Sequence, residues 1–294
     1  MLRILCSFIF FVILTYNHQI MNRRKFLKNT SPVLLLLAGG GVSYSFAKPT
    51  ISDVKKSKLR FAVISDGHFG QVKTDYDRYF REMMLQINAH HEQYSLDCCI
   101  MNGDIIHDNP AFLEPAKAYL DTLKMPYFVT QGNHDMVSEE EWTKTWNMPL
   151  NHHVKLNGHA FIMATTSNQQ GQYLCPNLAW MRDTLEKYKS TENVFIFIHI
   201  TPIKWTTNGI DCPDFIELLK KYPNVRLVCN GHDHDQDDLK IKNSIPYLFN
   251  GHIGGNWGTS YKGFRIIDLM KDNTIATYMM NPTVRIKEHV LERM

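Results

Sequence analysis

Five short clusters of Asp, Asn and His follow apolar runs of the sequence. The clusters lie at residues 65–68, 102–104, 131–135, 199 and 230–234, and the runs at 61–64, 98–101, 126–130, 194–198 and 226–229. Carboxylate and amide oxygens and imidazole nitrogens bind divalent transition metals, and none of the clusters contains a thiolate ligand. One such cluster is more often a turn than a site. Five in one chain indicate a shared metal site.

The apolar runs are expected to position these clusters. Each run is short and almost uniformly apolar, which is typical of a buried strand in a parallel sheet. The carboxyl ends of parallel strands meet at one edge of a sheet, where open α/β folds place their sites. Alternation of side chains would put Asp66 and His68 on one side of their segment, and likewise His232 and His234, so that each pair would chelate a metal.

The segments between the apolar runs show helical spacing. We predict helices at residues 75–94, 110–123, 178–188 and 213–222, with Asn177 capping the third and Pro110 at the start of the second. From residue 244 onward the pattern changes to short strands at 245–249, 263–269 and 274–280. The residues by themselves therefore predict an α/β fold with a strand-rich second half.

The five clusters stand in the order found in the calcineurin-like metallophosphoesterase family, which this sequence resembles. The motifs here are Asp66-Gly67-His68, Gly103-Asp104, Gly132-Asn133-His134-Asp135, His199 and Gly231-His232-Asp233-His234. The resemblance implies a four-layer αββα sandwich with two mixed β-sheets. It also implies a hydrolase that uses two metal ions, which would be manganese, iron or zinc.

The resemblance further implies a role for each motif residue. The seven expected metal ligands are Asp66, His68 and His234 for the first metal, Asn133, His199 and His232 for the second, and Asp104 for both. His134 is expected to lie outside the ligands and to stabilise the transition state or protonate the leaving oxygen, while Asp135 orients it. Two carboxylates against two metals would leave the site positive, which suits an anionic phosphate.

Three further residues are expected to contact the substrate: His107, Lys204 and His252. His107 stands where phosphatase-type members of the family carry aspartate, and at this position the chain is similar to the exonuclease members. Each has a simpler alternative role, as a hydrogen-bonding partner, a solvated lysine and a turn residue respectively. Trp142 and Trp146 would either stack on a base or sugar of the substrate or pack in the core.

Residues 1–47 are expected to be a leader. Arg23-Arg24 precedes an apolar run at 32–41 and small residues at 45–47, an order that resembles a twin-arginine export signal. The alternative is a membrane anchor, but the run is shorter than the roughly 20 residues that a span needs. An extra apolar stretch at 4–15 suggests that synthesis begins at Met21. The export machinery would then deliver a single domain, residues 48–294, with no membrane span, to the periplasm or another extracytoplasmic space.

Charge and cysteine content are consistent with that compartment. The net charge of +3 becomes −2 without residues 1–47, because these contain five basic residues and no acid. A mature chain this close to neutral has no charge excess that would attract polymeric nucleic acid. Three of its cysteines lie in apolar runs and are expected in the core, while Cys175 and Cys212 would form a disulfide in an oxidising compartment.

These observations predict an exported enzyme that hydrolyses a small phosphate ester by direct attack of water. A phosphodiester such as a cyclic nucleotide is the first choice, and a phosphomonoester of the acid-phosphatase type is the second. A nuclease is a third interpretation, which His107 motivates. A non-catalytic metal-binding scaffold is the fourth, and the presence of all seven ligands and His134 argues against it.

Overall fold

The structure is a computed structural model that describes residues 57–281 and 283–292. The expected leader, with Met21 and the arginine pair, lies outside the described residues. The described strands are β1 (Ser57–Ile64), β2 (Cys98–Asn102), β3 (Tyr127–Thr130), β4 (His152–Leu156), β5 (His159–Ala164), β6 (Val194–Ile198), β7 (Val225–Asn230), β8 (Leu239–Lys242), β9 (Ile245–Phe249), β10 (Phe264–Met270), β11 (Ile275–Asn281) and β12 (Val284–Leu291). The α-helices are α1 (Tyr76–Tyr94), α2 (Leu113–Leu120), α3 (Glu139–Trp146), α4 (Leu178–Lys187) and α5 (Pro213–Leu219), and a 3₁₀ helix (Pro110–Phe112) precedes α2.

The strands form two mixed sheets of six. The first sheet has the order β12-β11-β10-β1-β2-β3, and the second has the order β4-β5-β6-β7-β9-β8. Strands β1, β2 and β3 are parallel, as are β5, β6, β7 and β9, while the strands at one edge of the first sheet and at both edges of the second are antiparallel to their neighbours. The parallel blocks of both sheets contain the strands that lead into the polar clusters.

Alternating side chains on the strands build three layers of core. On β1, Phe61 and Val63 face the second sheet, whereas Ala62 and Ile64 face the helices outside the first sheet. Phe61 packs edge-on against Phe161 with ring centroids 5.0 Å apart, which joins the two sheets. Helices α1, α2 and α3 cover the outer face of the first sheet, and α4 and α5 cover that of the second. The predicted four-layer αββα sandwich is confirmed.

Most predicted helices are confirmed, with differences at their ends. Helices α1 and α4 match the predicted ranges to within a residue, and Asn177 caps α4 by accepting a hydrogen bond from Trp180 N at 3.1 Å. The predicted helix at 110–123 is a 3₁₀ turn followed by the shorter α2. No helix in the described part of the chain has the length and apolar character needed to cross a membrane.

The β4–β5 hairpin was not predicted, although the sequence contains a signal for it. Asn157 and Gly158 join the two strands with φ angles of 49° and 84°. Two consecutive residues with positive φ form a type I′ turn, and Asn-Gly is its most favourable sequence. The dipeptide therefore identifies the hairpin even though β4 is only half-buried.

Two side-chain predictions have clear outcomes. Trp142 and Trp146 lie on α3, where both are buried in the core outside the first sheet, so the hypothesis that they stack on the substrate is wrong. A helix after β3 was not predicted, although the capping box of Ser138 with Glu141 at its start is visible in the sequence.

The predictions for the cysteines are confirmed. Cys175 and Cys212 form a disulfide, and the three cysteines of the apolar runs are buried and free.

Candidate metal centre

The two sheets are joined at the carboxyl ends of their parallel strands. The side-chain nitrogen of Asn102, the last residue of β2, donates hydrogen bonds of 3.2 Å to the carbonyl oxygens of Ile198 and Cys229 in the second sheet. Segments that leave β1, β2 and β3 therefore meet those that leave β6 and β7. This contact explains how clusters from five separate strands enter one site.

The backbone at four expected ligands is left-handed. Asp66, His68, Asp104 and His232 have φ angles of 58°, 46°, 51° and 67°, values that residues other than glycine seldom adopt. Hydrogen bonds of the backbone hold this conformation, including Asp66 N to Gly103 O at 3.0 Å. The expected pairing of Asp66 with His68 in one ligand group is confirmed, but strand alternation does not cause it, because β1 ends at Ile64. Turns, and not the pleat of a strand, direct these side chains.

The first group of ligand atoms comes from Asp66, His68 and His234. The Nε2 atoms of the two histidines lie 2.9 Å apart, and His234 Nε2 is 3.2 Å from Asp66 Oδ1. The other ring nitrogen of His234, Nδ1, donates a hydrogen bond to the carbonyl oxygen of Trp257 at 3.1 Å. This bond fixes the tautomer of neutral His234, which leaves the lone pair of Nε2 directed at the group.

The second group comes from Asp104, His199 and His232, with Asn133 beside it. His199 Nδ1 donates to the carbonyl oxygen of Asn102 at 2.7 Å, so its Nε2 also faces the site. Within the described residues, His232 Nε2 and Asn133 Oδ1 are buried and make no hydrogen bond, and the buried Nε2 of His199 lies 3.1 Å from the carboxylate of Asp104. Buried polar atoms without partners are costly, and a metal ion would bind all three. The residues of this group therefore fit a metal.

His232 and His234 belong to different groups. The expectation that these two neighbours chelate one metal is wrong, while the separate assignments implied by the family resemblance agree with the two groups. A left-handed residue at His232 turns the segment between them, so their rings diverge.

Asp104 lies between the two groups. Its Oδ2 is 3.1 Å from His199 Nε2 in the second group and 3.6 Å from His68 Nε2 in the first, while its Oδ1 accepts a hydrogen bond from His134 N at 2.7 Å. Gly132 permits this approach, because a Cβ atom there would overlap the backbone nitrogen and Oδ1 of Asp104. The position suits a carboxylate that bridges two metals.

The electrostatics of the site favour bound cations. Burial lowers the pKa of His199, but the carboxylates of Asp104 and Asp66 outweigh burial and raise that pKa to about 10. Before a metal binds, His199 is therefore protonated at pH 7 beside these carboxylates, and a metal ion would displace that proton. Burial lowers the pKa of His68 to about 3 and that of His232 to about 4, so both imidazoles are neutral at pH 7. Neutral imidazoles and ionised carboxylates are the forms that bind metals.

His134 is oriented by Asp108, not by Asp135. His134 Nδ1 donates to Asp108 Oδ1 at 2.7 Å, and the ring is partly exposed beside the first group. The prediction that Asp135 orients His134 is therefore wrong. The fully buried Asp135 carboxylate instead accepts hydrogen bonds from the backbone nitrogens of Ile105, Ile106 and Gly132. Asp135 thus fixes the turns that follow β2 and β3, because its three acceptor bonds tie the two turns together.

His107 lies at the exposed side of the first group. Its ring stacks on that of His134 with centroids 4.8 Å apart, and its Nδ1 is 3.0 Å from Nδ1 of His68. The ring is therefore next to both an expected ligand and the expected catalytic histidine. The neighbouring Asp108 was not predicted, although an acidic residue directly after His107 and four residues after Asp104 was the available signal.

The other two expected substrate contacts have different environments. His252 is almost completely buried, and its ring lies parallel to that of His234 with centroids 5.0 Å apart. Its ring nitrogens face the carbonyl oxygens of Gly254 and Thr259. His252 thus supports a ligand histidine and does not offer the substrate contact that we expected. Lys204 is exposed and makes no hydrogen bond or ion pair with another described residue.

Comparison with known proteins places the site in a family. The profile of the family Calcineurin-like phosphoesterase matches residues 59–236, which include all seven expected ligands. A comparison with curated proteins finds no match to the chain.

Several solved structures share the fold at low sequence identity. A dimetal phosphatase from Danio rerio has a TM-score of 0.65 and 12% identity, over 81% of this chain and 100% of its own. GAP50, the anchor in the inner membrane complex of Plasmodium, has a TM-score of 0.59 and 15% identity, over 80% and 89%. Purple acid phosphatase PPD1 from yellow lupin (Lupinus luteus) has a TM-score of 0.59 and 12% identity, over 79% and 53%.

These structural likenesses show the fold alone, whereas the family profile covers more than half of the chain and contains every motif residue of the two metal groups. The chain therefore belongs to the calcineurin-like phosphoesterase family and is a hydrolase that acts on phosphoric ester bonds.

Proposed function

We propose that this protein is an exported phosphodiesterase that hydrolyses small phosphate diesters with two metal ions. The observation that carries the proposal is the pair of ligand groups that Asp104 connects, with two buried polar atoms, His232 Nε2 and Asn133 Oδ1, left without hydrogen bonds. Asp, Asn and His ligands accept manganese, iron or zinc, so these are the metals to test.

When bound, two such metals neutralise the charge on a phosphoryl group and acidify a water molecule that attacks phosphorus. The chain itself holds the ligands and supplies the proton. His134 is partly exposed beside the first group, where its ring can reach a leaving oxygen. A positioned histidine that protonates the leaving group typically accelerates such a reaction by about 10²–10⁴-fold. Asp108 would hold the ring through Nδ1 and leave Nε2 to deliver the proton.

The rim of the site favours a diester over a monoester. Four rings that are exposed or partly exposed contact ligand histidines: His107, His134, Tyr173 and Trp257. Two of the four, Tyr173 and Trp257, are large aromatic side chains without charge. A diester has one negative charge and two organic substituents, so it matches this rim better than a doubly charged monoester does.

A substrate panel tests this proposal. The protein, loaded in turn with manganese, iron and zinc, is assayed on bis(p-nitrophenyl) phosphate, p-nitrophenyl phosphate, cyclic nucleotides, inorganic pyrophosphate and a single-stranded oligonucleotide. We expect the highest kcat/KM on diesters of low molecular weight. A preference for p-nitrophenyl phosphate would make the protein a monoesterase, and activity on the oligonucleotide without activity on bis(p-nitrophenyl) phosphate would make it a nuclease. The variant His199→Ala controls for contaminating hydrolases.

Export is part of the proposal and has its own test. A disulfide between Cys175 and Cys212 suits an oxidising compartment, and the arginine pair of the leader suits the twin-arginine route. Changing both Arg23 and Arg24 to Lys is expected to leave the precursor in the cytoplasm, which cell fractionation measures. Continued export of the double variant would contradict the twin-arginine route and point to general secretion.

A further inference from the structure

Two exposed aromatic side chains flank the metal centre. Among the phenylalanine, tyrosine and tryptophan residues of the described chain, only Tyr173 and Trp257 have an exposed fraction above a third, at 41% and 45%. Each contacts a different ligand histidine: Tyr173 meets His232 and Trp257 meets His234. Both exposed aromatic rings of residues 57–281 and 283–292 are thus placed at the site, one next to each metal group.

Trp257 lies flat on His234. The two ring planes are inclined by 4° with centroids 4.1 Å apart, and the carbonyl oxygen of Trp257 accepts the hydrogen bond from His234 Nδ1. The following residue, Gly258, has φ of 115° and packs so closely on His234 that a Cβ atom there would overlap it. This loop is therefore held against the ligand, and the exposed part of Trp257 is presented to solvent beside the first metal group.

Tyr173 occupies the other end of the centre. Its ring meets His232 edge-on with centroids 4.8 Å apart. The turn that carries it is held by a hydrogen bond from Leu174 N to Thr166 O at 2.8 Å and by the disulfide of Cys175, two residues further on. Tyr173 is therefore fixed in place while its ring remains exposed beside the second metal group.

Support of the ligand histidines does not explain this exposure. His252 already packs against the ring of His234 and is buried, as a supporting ring is expected to be. Leaving large apolar rings in water is unfavourable, and exposed apolar surface near a site usually serves binding. Aromatic rings that remain exposed on fixed turns are suited to stack on planar groups, since every nucleobase and aryl group has a π face.

We propose that Trp257, with Tyr173 at the opposite end, binds an aryl or nucleobase substituent of the phosphate diester and so determines substrate specificity. This inference rests on the proposed function, because it names the substituent that the site would accept. It predicts that a diester with a planar substituent is preferred over one with a small alkyl substituent and the same leaving group.

Two substrates that share a leaving group isolate this contact. Thymidine 5′-(p-nitrophenyl phosphate) and ethyl p-nitrophenyl phosphate both release p-nitrophenolate, so the chemistry at the metals is matched. In Trp257→Leu we expect the ratio of kcat/KM for the thymidine ester to that for the ethyl ester to fall by about 5- to 100-fold, the range for loss of one stacking contact. Trp257→Phe should keep most of the preference, and Tyr173→Phe should keep more of it than Tyr173→Leu.

Metal content and ligand binding complete the test. If Trp257 only supported His234, Trp257→Leu would lose metal and slow both substrates equally, and that result would overturn the proposal, as would an unchanged ratio. Calorimetric dissociation constants of the metal-loaded protein for thymidine 5′-monophosphate and ethyl phosphate give a readout without turnover. Weaker binding of thymidine 5′-monophosphate alone in Trp257→Leu supports stacking even if neither diester is hydrolysed, a result that would contradict only the proposed function.

Discussion

Replacing Asp108 with asparagine is expected to slow hydrolysis by acting through His134. The carboxylate accepts a hydrogen bond from His134 Nδ1 at 2.7 Å and lies outside the expected metal ligands. An asparagine keeps the size of the side chain but removes its charge. The ring of His134 would then lose the charged partner that fixes its orientation.

The size of the effect follows from the exposure of the pair. A hydrogen bond to a charged group contributes about 1.5–3 kcal/mol when it is buried. Here 33% of the His134 side chain and 48% of the Asp108 side chain are exposed, so solvent screens the pair. About 1 kcal/mol remains, which corresponds to a loss of about fivefold in kcat for Asp108→Asn. His134→Ala removes the proton donor itself and is expected to cost about 10²–10⁴-fold.

A double-mutant cycle tests whether Asp108 acts on catalysis through His134. We would measure kcat and metal content for both single variants and the double variant, on an alkyl diester and on bis(p-nitrophenyl) phosphate. Asp108→Asn should add almost nothing once His134 is alanine. Losses should be larger on the alkyl diester, because an alkoxide needs the proton more than p-nitrophenolate does. Full additivity of the two losses would refute the reasoning, and loss of metal in His134→Ala would make that residue a ligand.

Three further predictions concern the metals. Asp104→Ala is expected to lower metal content below two per chain and to abolish turnover, since its Oδ2 lies near both ligand groups; two retained metals with near-normal rates would contradict bridging. Gly132→Ala should also impair metal binding, because the added Cβ overlaps Asp104. Gly158→Ala is a control for strain away from the site: its φ of 84° should make it lower the stability of the fold, but metal content should not change. Metal removal by a chelator should lower the melting temperature by about 5–11 °C for each metal, because a metal at 100 times its Kd stabilises the folded state by about 2.7 kcal/mol and each kcal/mol shifts the melting temperature by about 2–4 °C. An unchanged melting temperature would contradict the presence of bound metals.

The local pattern of the sequence predicted much of the fold. Apolar runs such as 194–198 are buried strands because their side chains are apolar on both faces, and a sheet covered on both sides requires that. The pairing of the strands into two sheets did not follow from this pattern, since it depends on contacts between distant parts of the chain. The apolar pattern does not indicate the β4–β5 hairpin, because β4 is only half-buried and the signal for the hairpin is the turn at Asn157.

In the candidate site, too, the sequence predicted the residue types, while their arrangement depended on the tertiary structure. The sequence by itself determined which residue types could bind metals, because the chemistry of Asp, Asn and His does not depend on the fold. Their grouping depended on left-handed turns at residues such as Asp66 and His232, where close backbone packing overrides the alternation of a strand. Only the tertiary structure decided that His134 donates a hydrogen bond to Asp108 and that Tyr173 lies beside His232. The first contact joins residues that are 26 positions apart in the chain and the second joins residues that are 59 apart, so local sequence pattern does not determine either.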